Sequence, residues 1–511
     1  MTLEIMPNDQ HNQELVGKLH PADWVNPKPI ERYNLVVIGA GPAGLVAAVG
    51  AAGLGAKVAL VERHLMGGDC LNYGCVPSKA LLRAAHGVHA ARQADGFGLS
   101  CEGTVPVDFA KIMKGLRAKR NGLADHDSVA RFTSLGVDVF LGEGSFVNAH
   151  EITVAGQSLK FHRAVIATGA RASLPPIPGL ESVNPLINES LFSLTELPKS
   201  LIVVGAGPIG CEMAQAFSRF GAKVTLIEMA DRPLPVEDPD ASAVVMDQLI
   251  KDGVELILGV KIIRAEKNTG NKSIILQDGD GERAITADDI LVAAGRSPNV
   301  EGLNLEAAGI GYHAKGVTVN ERLQTTNGKI FAAGDICSRY QFTHSADAMA
   351  KIVIQNALFF GRKKVTDLVM PWVTYTSPEV AHVGMTASEA AAAGDKVITY
   401  TEQMAGIDRA VLEQETDGFA RVHVDRGSGR VLGATMVSSH AGESLSEMTL
   451  AITAGLKISA VGGAIHPYPT QAEVWKKLAN AHLKQSFTPR IAKIFKYFLS
   501  LFSKDTTEGR V

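Results

Sequence analysis

Hydrophobic and polar positions near the start of the chain predict a strand, a tight turn, a helix and a second strand. The stretch NLVVIGAGPAGLVAAVGAAGLGAKVALVE, residues 34–62, passes from an apolar run through glycines into an alanine-rich segment and a second apolar run. Short apolar runs bounded by glycine are typical of buried parallel strands, and the alanine-rich segment is typical of the helix between them. Residues 201–228, LIVVGAGPIGCEMAQAFSRFGAKVTLIE, repeat this plan. The chain is therefore predicted to contain the same α/β module twice.

The pattern changes near Pro371. GFARVHVD and GRVLGATMVSS alternate apolar and polar residues around a Gly/Ser turn, which predicts paired strands. Two amphipathic helical stretches follow, around 443–457 and 470–485. This part carries no nucleotide fingerprint, so we predict an α+β domain that contacts another subunit.

A further amphipathic stretch, RIAKIFKYFLSLF, lies within residues 490–503. Such a stripe is typical either of a terminal helix packed on the dimer of its own chain or of a helix that lies on a membrane surface. Its apolar positions are Ile491, Ile494, Phe495, Phe498 and Phe502, and its cations are Arg490, Lys493 and Lys496. No segment has ~20 consecutive apolar residues, so a membrane-spanning helix is not expected.

Length, charge and the N-terminal sequence narrow the class of protein. The chain has 511 residues, of which 46% are hydrophobic, enough for several buried cores. Its formal net charge of -3, with no basic cluster, excludes an electrostatic footprint for nucleic acid. The first thirty residues lack the apolar core of a signal peptide, which favours a cytoplasmic protein.

Each module carries the spacing G-x-G-x-x-G between strand and helix, with an acid about 20 residues further on. The first glycine permits the tight turn, the second lets the backbone approach a pyrophosphate, and the third allows close helix packing. The helix N-terminus then offers N–H groups to phosphate, and the acid can accept hydrogen bonds from ribose hydroxyls. The residues are Gly39, Gly41, Gly44 and Glu62 in the first module and Gly205, Gly207, Gly210 and Glu228 in the second.

Two dinucleotide sites in one chain indicate hydride transfer between two dinucleotides. One is expected to be a tightly held flavin and the other a nicotinamide. The negative charge of Glu228 would repel a 2′-phosphate, which favours NADH over NADPH. Arg232 supplies the opposite charge four residues later and weakens this inference.

The segment GGDCLNYGCVPSK, residues 67–79, holds two of the five cysteines. In a regular helix Cys70 and Cys75 would lie ~7.5 Å apart along the axis, so the segment must be distorted if their sulfurs are to meet. Gly74 and Pro77 permit such a distortion. In a reducing compartment a close pair indicates a redox dithiol or a metal site, and an inert buried pair is the third alternative. Cys101, Cys211 and Cys337 are expected to be structural.

Several motifs together give this chain a specific family resemblance over roughly residues 33–485. They are GGDCLNYGCVPSK, AVIATGA at 164–170, LVAAGRSPN at 291–299, IFAAGDI at 330–336 and YPTQAE at 468–473. The chain closely resembles the class I pyridine-nucleotide-disulfide oxidoreductases, the flavoproteins that include dihydrolipoyl dehydrogenase, glutathione reductase and mercuric reductase. The resemblance implies a homodimer with a redox-active disulfide, an active site shared across the interface, and no resident metal.

The resemblance also implies cofactor contacts. Lys79 would lie beside flavin N5, paired with Glu212, and a helix beginning near Ser345 would aim its N-terminus at the flavin pyrimidine. The implied FAD residues are Gly39, Gly41, Gly44, Glu62, Gly68, Lys79, Gly144, Thr168, Gly169 and Asp335. The implied NAD(P)H residues are Gly205, Gly207, Gly210, Glu228 and Gly295.

By family position, Cys75 lies against the flavin and Cys70 performs the exchange with substrate. Asp69, where the family commonly has threonine, opposes formation of a thiolate at Cys70.

The family's H-P-T-x-x-E motif, a base-acid pair that reaches the partner subunit's site, reads Tyr468 to Glu473 here. A phenol is a poor base near neutral pH. His466 could replace the missing histidine only if the loop were rearranged, and is otherwise a hydrogen-bonded structural residue. Tyrosine at this position is similar to mercuric reductase, but no cysteine follows Cys337 to deliver a metal ion.

The predicted organisation has six segments, two of which form one FAD-binding domain. They are an N-terminal extension (1–30), the FAD-binding domain (31–178 and 296–370), an NAD(P)-binding domain (179–295), a dimerisation domain (371–488) and a C-terminal tail (489–511). The predicted function is a mercuric-reductase-like, FAD-dependent NAD(P)H oxidoreductase whose acceptor is a disulfide, a metal ion or a small electrophile. The alternatives are a dihydrolipoyl dehydrogenase and a membrane-surface redox-sensing module.

Overall fold

The structure is a computed structural model that describes residues 3–99, 105–268, 270–278 and 281–502. Cys101 and the last nine residues of the predicted tail, 503–511, lie outside these ranges. The chain forms two compact units, Met1–Leu368 and Val369–Val511.

The first unit begins with a mixed set of helices and strands that leads into a second α/β set. The helices are α1 (Gln10–Leu19), α2 (Pro42–Gly53), α3 (Gly68–Asn72), α4 (Cys75–Arg92), α5 (Phe109–Leu123) and α6 (Val129–Ser134). The strands are β1 (Tyr33–Ile38), β2 (Val58–Glu62), β3 (Val137–Leu141), β4 (Gly144–Asn148), β5 (Glu151–Val154), β6 (Gln157–Ile166) and β7 (Ala170–Ala172).

The helices and strands after β7 form the second set, and its strand β18 pairs with β6 of the first set. Its helices are α7 (Asn188–Leu191), α8 (Pro208–Phe220), α9 (Pro239–Lys251) and α10 (Thr343–Leu358). Its strands are β8 (Ser200–Val204), β9 (Lys223–Ile227), β10 (Glu255–Ile257), β11 (Lys261–Asn268), β12 (Asn271–Asp278), β13 (Gly281–Ala287), β14 (Asp289–Val292), β15 (Arg296–Pro298), β16 (Tyr312–His313), β17 (Gly316–Val317) and β18 (Ile330–Ala332).

A seven-stranded sheet forms the core of the first module. Its order is β3-β2-β1-β6-β5-β4, and β18 also pairs with β6. The strands β1, β2, β3 and β18 and the C-terminal half of β6 pair in parallel, whereas β4 and β5 are antiparallel. The chain leaves this module after β6 and returns to it at β18, because its second module is inserted between them.

The second module repeats the parallel core on a smaller scale. Its four strands run in the order β10-β9-β8-β14, all parallel, and β11-β12-β13 form a separate antiparallel sheet. In both modules the glycine-rich turn joins the central strand to its helix, β1 to α2 and β8 to α8. The predicted α/β class with two dinucleotide-binding modules is confirmed.

The N-terminal helix α1 is part of the first module. Leu15 and Leu19 are fully buried in the core that surrounds α2. Asp9, the residue that caps α1, accepts a hydrogen bond from Arg117 of α5 at 2.6 Å. Arg120, one turn further along α5, donates to Asn12 of α1 and to the carbonyl of Asn72 at the end of α3. The N-terminal segment therefore braces the helix that carries Cys70.

The second unit is an antiparallel sheet covered by helices. The strands, in the order β19-β20-β23-β22-β21, are β19 (Pro371–Thr374), β20 (Glu379–Gly384), β21 (Val397–Gln403), β22 (Phe419–Asp425) and β23 (Val431–Ser438). The helices are α11 (Ala387–Ala393), α12 (Asp408–Leu412), α13 (Ala441–Thr453), α14 (Ile458–Gly463), α15 (Glu473–Ser486) and α16 (Pro489–Phe502).

The core of this unit lies between the sheet and α13 and α15, and Trp475 is fully buried in it. The predicted strand pair corresponds to β22 and β23, and the two predicted helical stretches correspond to α13 and α15. Within the described residues, no helix is both long enough and apolar enough to cross a bilayer.

Candidate active site

The two glycine fingerprints have nearly identical backbone geometry. Gly39 and Gly205 adopt φ of +102° and +100°, values that side chains other than glycine rarely adopt. A Cβ on Gly44 would lie 1.8 Å from the carbonyl oxygen of Gly39, and a Cβ on Gly210 would lie 1.8 Å from that of Gly205. Each helix can therefore start against its turn only if the third fingerprint residue is glycine.

The acid at the end of the second strand is bound to backbone amides in both modules. Glu62 accepts from the N–H of Ala40 and of His64, each at 2.7 Å. Glu228 accepts in the same way from Ala206 at 2.7 Å and from Ala230 at 3.0 Å. These bonds fix each carboxylate beside its glycine turn and leave lone pairs for ribose hydroxyls.

A cavity opens beside the first fingerprint, at the carboxyl ends of the parallel strands. Its walls include Gly39, Glu62, Gly144, Thr168 and Asn299. Burial raises the pKa of the Glu62 carboxyl above its usual range. Open sheets of this kind bind nucleotides at the carboxyl ends of their strands. The cavity, the glycine turn and the N-terminus of α2 together fit the adenosine and pyrophosphate of FAD.

The cysteine segment touches the fingerprint turn directly. Gly67 and Gly68 have φ of +88° and +59°, and a Cβ on Gly68 would lie 2.5 Å from the Cα of Gly41. The helix α3 ends at Asn72, and α4 begins at Cys75 after Tyr73 and Gly74. The distortion expected between the two cysteines is therefore a break between two helices. It brings the sulfurs of Cys70 and Cys75 within hydrogen-bond reach.

Both cysteines are free thiols, and a hydrogen bond joins their sulfurs. This bond changes the pKa values of the two thiols in opposite directions. The bond from Cys70, aided by Thr343 and Lys79, lowers the pKa of Cys75 to about 6 against the opposing effect of burial. The same bond, together with burial, raises the pKa of Cys70. In the dithiol form these effects favour a thiolate at Cys75 over one at Cys70.

Thr343 is a contact that the sequence did not single out. Its Oγ1 lies 3.4 Å from the Sγ of Cys75, at the first residue of α10. The helix begins two residues before the expected Ser345, so a hydroxyl and a helix N-terminus both face the sulfur. Both stabilise negative charge at Cys75.

Asp69 is neutralised by an arginine from a distant segment. Its Oδ2 lies 3.1 Å from Nη2 of Arg296, and its Oδ1 accepts from the amide of Asn188 at 2.7 Å. Arg296 also donates to the carbonyl of Ala170 at 2.7 Å and lies 3.7 Å from Asp335. Burial raises the pKa of Asp335 to about 6 against the effect of Arg296. Arg296 thus connects the cysteine segment with two segments implied in FAD binding.

Lys79 and Glu212 form the ion pair that the family resemblance implies. The Lys79 Nζ lies 2.9 Å from the Glu212 Oε2, and the Glu212 side chain is only 5% exposed. This pair connects α4 of the first module with α8 of the second, because Glu212 lies in α8 two residues after Gly210 of the second fingerprint. A cation held in this way keeps a fixed position near the cysteine pair.

The remaining implied cofactor residues lie in turns of the first unit. Thr168 donates through Oγ1 to the carbonyl of Asn299 at 2.9 Å, and Gly169 has φ of +66°. Gly295, with φ of +110°, precedes β15, which pairs with β7. Gly207 is the N-cap of α8, as Gly41 is of α2.

The candidate acid-base residues of the second unit, Tyr468 and His466, do not form hydrogen bonds with Glu473, the acid of the family motif, but with other carboxylates. Tyr468 donates to Asp408 Oδ2 at 2.7 Å, and this bond raises the pKa of its phenol. The Nε2 of His466 lies 3.1 Å from Glu447, and its Nδ1 lies 3.1 Å from the carbonyl of Ala464. The carboxylate that pairs with His466 is therefore Glu447, whereas Glu473 is the first residue of α15.

The other cysteines have local carbonyl partners. Cys211 is buried and its thiol donates to Ala206, while that of Cys337 donates to Gly334. Within the described residues, no group of three or more His, Cys, Asp or Glu is placed to hold a metal ion.

Comparison with known proteins identifies the class to which this fold and site belong. Residues 33–350 match the family described as pyridine nucleotide-disulphide oxidoreductase, and residues 370–479 match the dimerisation domain of that family. The chain belongs to the pyridine nucleotide-disulphide oxidoreductases and is a flavoprotein enzyme that uses FAD and a pyridine nucleotide.

Individual relatives include two kinds of enzyme. The chain is 37% identical over 452 residues to a mercuric reductase of Staphylococcus aureus, covering 88% of this chain and 82% of the relative. It is 35% identical over 459 residues to the dihydrolipoyl dehydrogenase of Bacillus subtilis, covering 86% and 96%. A solved structure, the HOCl-induced flavoprotein disulfide reductase RclA from Escherichia coli, matches with a TM-score of 0.79 and 30% identity, covering 88% and 99%.

Replacing Thr343 with Val should raise the pKa of Cys75. The substitution removes a hydroxyl donor to the thiolate, and a bond to a charged group is worth ~1.5–3 kcal/mol, or roughly one pKa unit or more. The long-wavelength absorbance of the two-electron-reduced enzyme, titrated against pH, should therefore appear at higher pH than in the wild type. Thr343→Ser, which keeps the hydroxyl, is the matched control, and an unchanged midpoint in T343V would refute the contact.

Replacing Asp69 with Asn should lower the pH midpoint at which the long-wavelength absorbance of the two-electron-reduced enzyme appears. The change removes a negative charge that disfavours both thiolates and leaves Arg296 without that partner, while an amide oxygen can still accept from Asn188. We expect a fall of ~0.5 pH unit, because the paired charge is already partly neutralised. A rise would show that Asp69 acts mainly by holding the cysteine segment in place.

Proposed function

We propose that this chain passes electrons from reduced nicotinamide through FAD and the Cys70–Cys75 pair to a metal ion, a disulfide or a small electrophile. The observation that carries the proposal is the contact between the sulfurs of Cys70, in α3, and Cys75, the first residue of α4. The pKa of Cys75 is lowered and that of Cys70 is raised, and Lys79 lies one turn further along α4. Two sulfurs this close can form a disulfide and reopen it by thiol-disulfide exchange.

A soft metal ion is the acceptor class that we favour. The supporting comparisons are the mercuric reductases, and RclA, which has also been solved as a Cu(II) complex. Two thiolates are the ligands that such ions prefer. The chain lacks the C-terminal cysteine pair that delivers the ion in mercuric reductase, since its last cysteine is Cys337. We therefore expect slower metal turnover than in enzymes that carry that pair.

The residues near the cysteines would control protons and charge during turnover. FAD, when bound, would supply the two-electron link between the nicotinamide and the cysteines, and two electrons with two protons would convert the Cys70–Cys75 disulfide to the dithiol. Lys79, held by Glu212, would keep positive charge beside the flavin, and Thr343 would stabilise the Cys75 thiolate. With a disulfide acceptor, Cys70 would lose its proton to solvent, attack one sulfur of the acceptor and release a thiolate that takes up a proton. Cys75 then attacks Cys70, releases the second thiolate and restores the original disulfide.

Removal of the thiol proton of dihydrolipoamide is the step that disfavours it as a substrate. That reaction needs a base near neutral pH, which the family takes from its H-P-T-x-x-E motif. Here Tyr468 is bound to Asp408, and His466 is held by Glu447 and Ala464. A dihydrolipoyl dehydrogenase is the alternative function, supported by the B. subtilis relative.

We further propose NADH as the preferred donor and a homodimer as the working form. Glu228 lies beside the second fingerprint, where it would repel a 2′-phosphate. Arg232 donates to the carbonyl of Pro235 at 3.1 Å, so its guanidinium has a local partner. The match to a dimerisation domain over residues 370–479 supports the homodimer with an active site completed by the partner.

The acceptor is tested by stopped-flow mixing of the anaerobically reduced enzyme with Hg²⁺, Cu²⁺, lipoamide, glutathione disulfide and a water-soluble quinone. We expect the fastest reoxidation with a metal ion, and loss of that reaction in the Cys70→Ser variant. Reoxidation by quinone that survives in C70S would show that electrons leave directly from the flavin. Turnover of ~1–10³ s⁻¹ with dihydrolipoamide and NAD⁺ would instead establish the alternative function.

A further inference from the structure

The C-terminal helix α16 divides cleanly into an apolar half and a polar half. At ~100° per residue, seven large apolar side chains fall within a continuous arc of ~160°. They are Ile491, Ile494, Phe495, Phe498, Leu499, Leu501 and Phe502. The opposite arc holds Arg490, Lys493 and Lys496 together with Pro489, Ala492, Tyr497 and Ser500.

The apolar half is not used in packing within the described residues of this chain. No residue of α16 is buried, and Leu499 and Phe502 are 68% and 85% exposed. One ring contact is made midway along the helix, where Phe495 stacks on Phe487, which precedes α16, with ring centroids 5.5 Å apart. A continuous apolar face of this size on a single helix marks an interaction surface.

Such a face could bind a second copy of the helix or a lipid surface, and the charges of α16 distinguish between the two. Residues 489–502 contain three cations and no acidic residue. A second copy of the helix would bring the same cations and offer no carboxylate to pair with them. An anionic lipid surface supplies negative headgroups beside an apolar interior, which matches a basic arc next to an apolar arc.

The length of α16 determines how it would contact lipid. Its 14 residues extend ~21 Å, which is shorter than the ~30 Å hydrocarbon core of a bilayer. Its three cations are spaced over the first eight residues of the helix, on the polar arc, and continue beside the apolar arc rather than capping one end. The geometry therefore requires a helix that lies in the plane of the interface.

We propose that α16 is a peripheral anchor that binds this enzyme to the surface of an anionic lipid bilayer. The apolar arc enters the boundary between headgroups and acyl chains, and Arg490, Lys493 and Lys496 contact lipid phosphates. The anchor holds the oxidoreductase at a membrane without a spanning segment. It is independent of which acceptor the cysteine pair reduces.

The test is co-sedimentation of the full-length holoenzyme with vesicles of phosphatidylcholine alone or with ~30% phosphatidylglycerol. We expect binding to the anionic vesicles that weakens as salt rises, and at least ~10-fold weaker binding to neutral vesicles. Equal binding to both kinds of vesicle, or binding to neither, would overturn the proposal.

Matched variants separate the apolar arc from net charge. Ile494→Glu with Phe498→Glu places two acids on the apolar arc, and Ala492→Glu with Ser500→Glu places two acids on the polar arc. Both pairs change the net charge equally, so we expect the first pair to weaken binding at least ~10-fold more than the second. An equal loss in both would show electrostatic attraction without insertion and would refute the anchor as stated.

Two further readouts distinguish the anchor from dimer packing and from misfolding. Flavin absorbance and NADH oxidation should be unchanged in both double variants, because α16 contains no residue assigned to the site. The mass measured by light scattering should also be unchanged without lipid. A fall in mass in I494E/F498E would show that the helix binds a second copy, and would overturn the proposal.

Discussion

Replacing Cys75 with Ala is expected to abolish the long-wavelength absorbance of the two-electron-reduced enzyme and to lower disulfide-dependent turnover by at least ~10³-fold. Cys75 is the sulfur whose pKa is lowered to about 6, so it carries the charge that such a band reports. Its removal also leaves Cys70 without a partner for the disulfide. Anaerobic reduction followed in a diode-array spectrophotometer measures the band directly.

The companion variants make this result specific to Cys75. Cys70→Ala should retain the band, because Thr343 and Lys79 still stabilise the Cys75 thiolate, but the band should appear at higher pH since the Cys70 donor is lost. This variant should also lose exchange with substrate. Cys211→Ala, which changes a buried cysteine in the second module whose partners are the backbone groups of Ala206 and Leu234, should retain both. Loss of the band in C70A with its retention in C75A would reverse the assignment of the two sulfurs.

Replacing Gly44 with Ala is expected to give a folded protein that binds little or no FAD. The added Cβ would lie 1.8 Å from the carbonyl of Gly39, and backbone cannot move aside as a flexible side chain can. Either α2 or the turn must therefore shift, which moves the N-H groups that fit the pyrophosphate. Absorbance near the flavin maximum relative to that of the protein measures the loss.

Two further glycine variants serve as controls. One places alanine in the same helix without a clash, and the other places the same clash in the second module. Gly53→Ala lies in the same helix with nothing within 4 Å of the added Cβ, so flavin content should be unchanged. Gly210→Ala makes the corresponding clash with Gly205 in the second module, so it should keep flavin and lose reduction by NADH. Full flavin content in G44A, with a native far-ultraviolet spectrum, would contradict the fingerprint interpretation.

The sequence predicted the parts of the site that depend on short segments. The two fingerprints require positive φ at Gly39 and Gly205 and close approach at Gly44 and Gly210, and glycine is the residue that meets both demands. The break between Cys70 and Cys75 was likewise predictable, because two sulfurs five positions apart cannot meet across a regular helix. The family resemblance then supplied Lys79 and Glu212 as a pair.

The residues that the sequence did not reveal lie far from their partners along the chain. Thr343 is 268 positions from Cys75, and the neutralising partner of Asp69 is Arg296. Arg296 stands within a motif that drew attention to Gly295, and Thr343 stands two residues before the expected helix start. Asp69 looked unfavourable beside Cys70 because the sequence shows its charge but not the cation and amide that bind it.

The sequence by itself determined that this protein is a two-module α/β flavoenzyme with a paired-cysteine site, because backbone geometry at glycines and apolar periodicity act within about 30 residues. Only the tertiary structure decided that Thr343 contacts Cys75, that Arg296 neutralises Asp69, and that His466 pairs with Glu447. Electrostatic interactions depend on distance in space. The fold brings together charges and donors whose separation along the chain gives no measure of that distance.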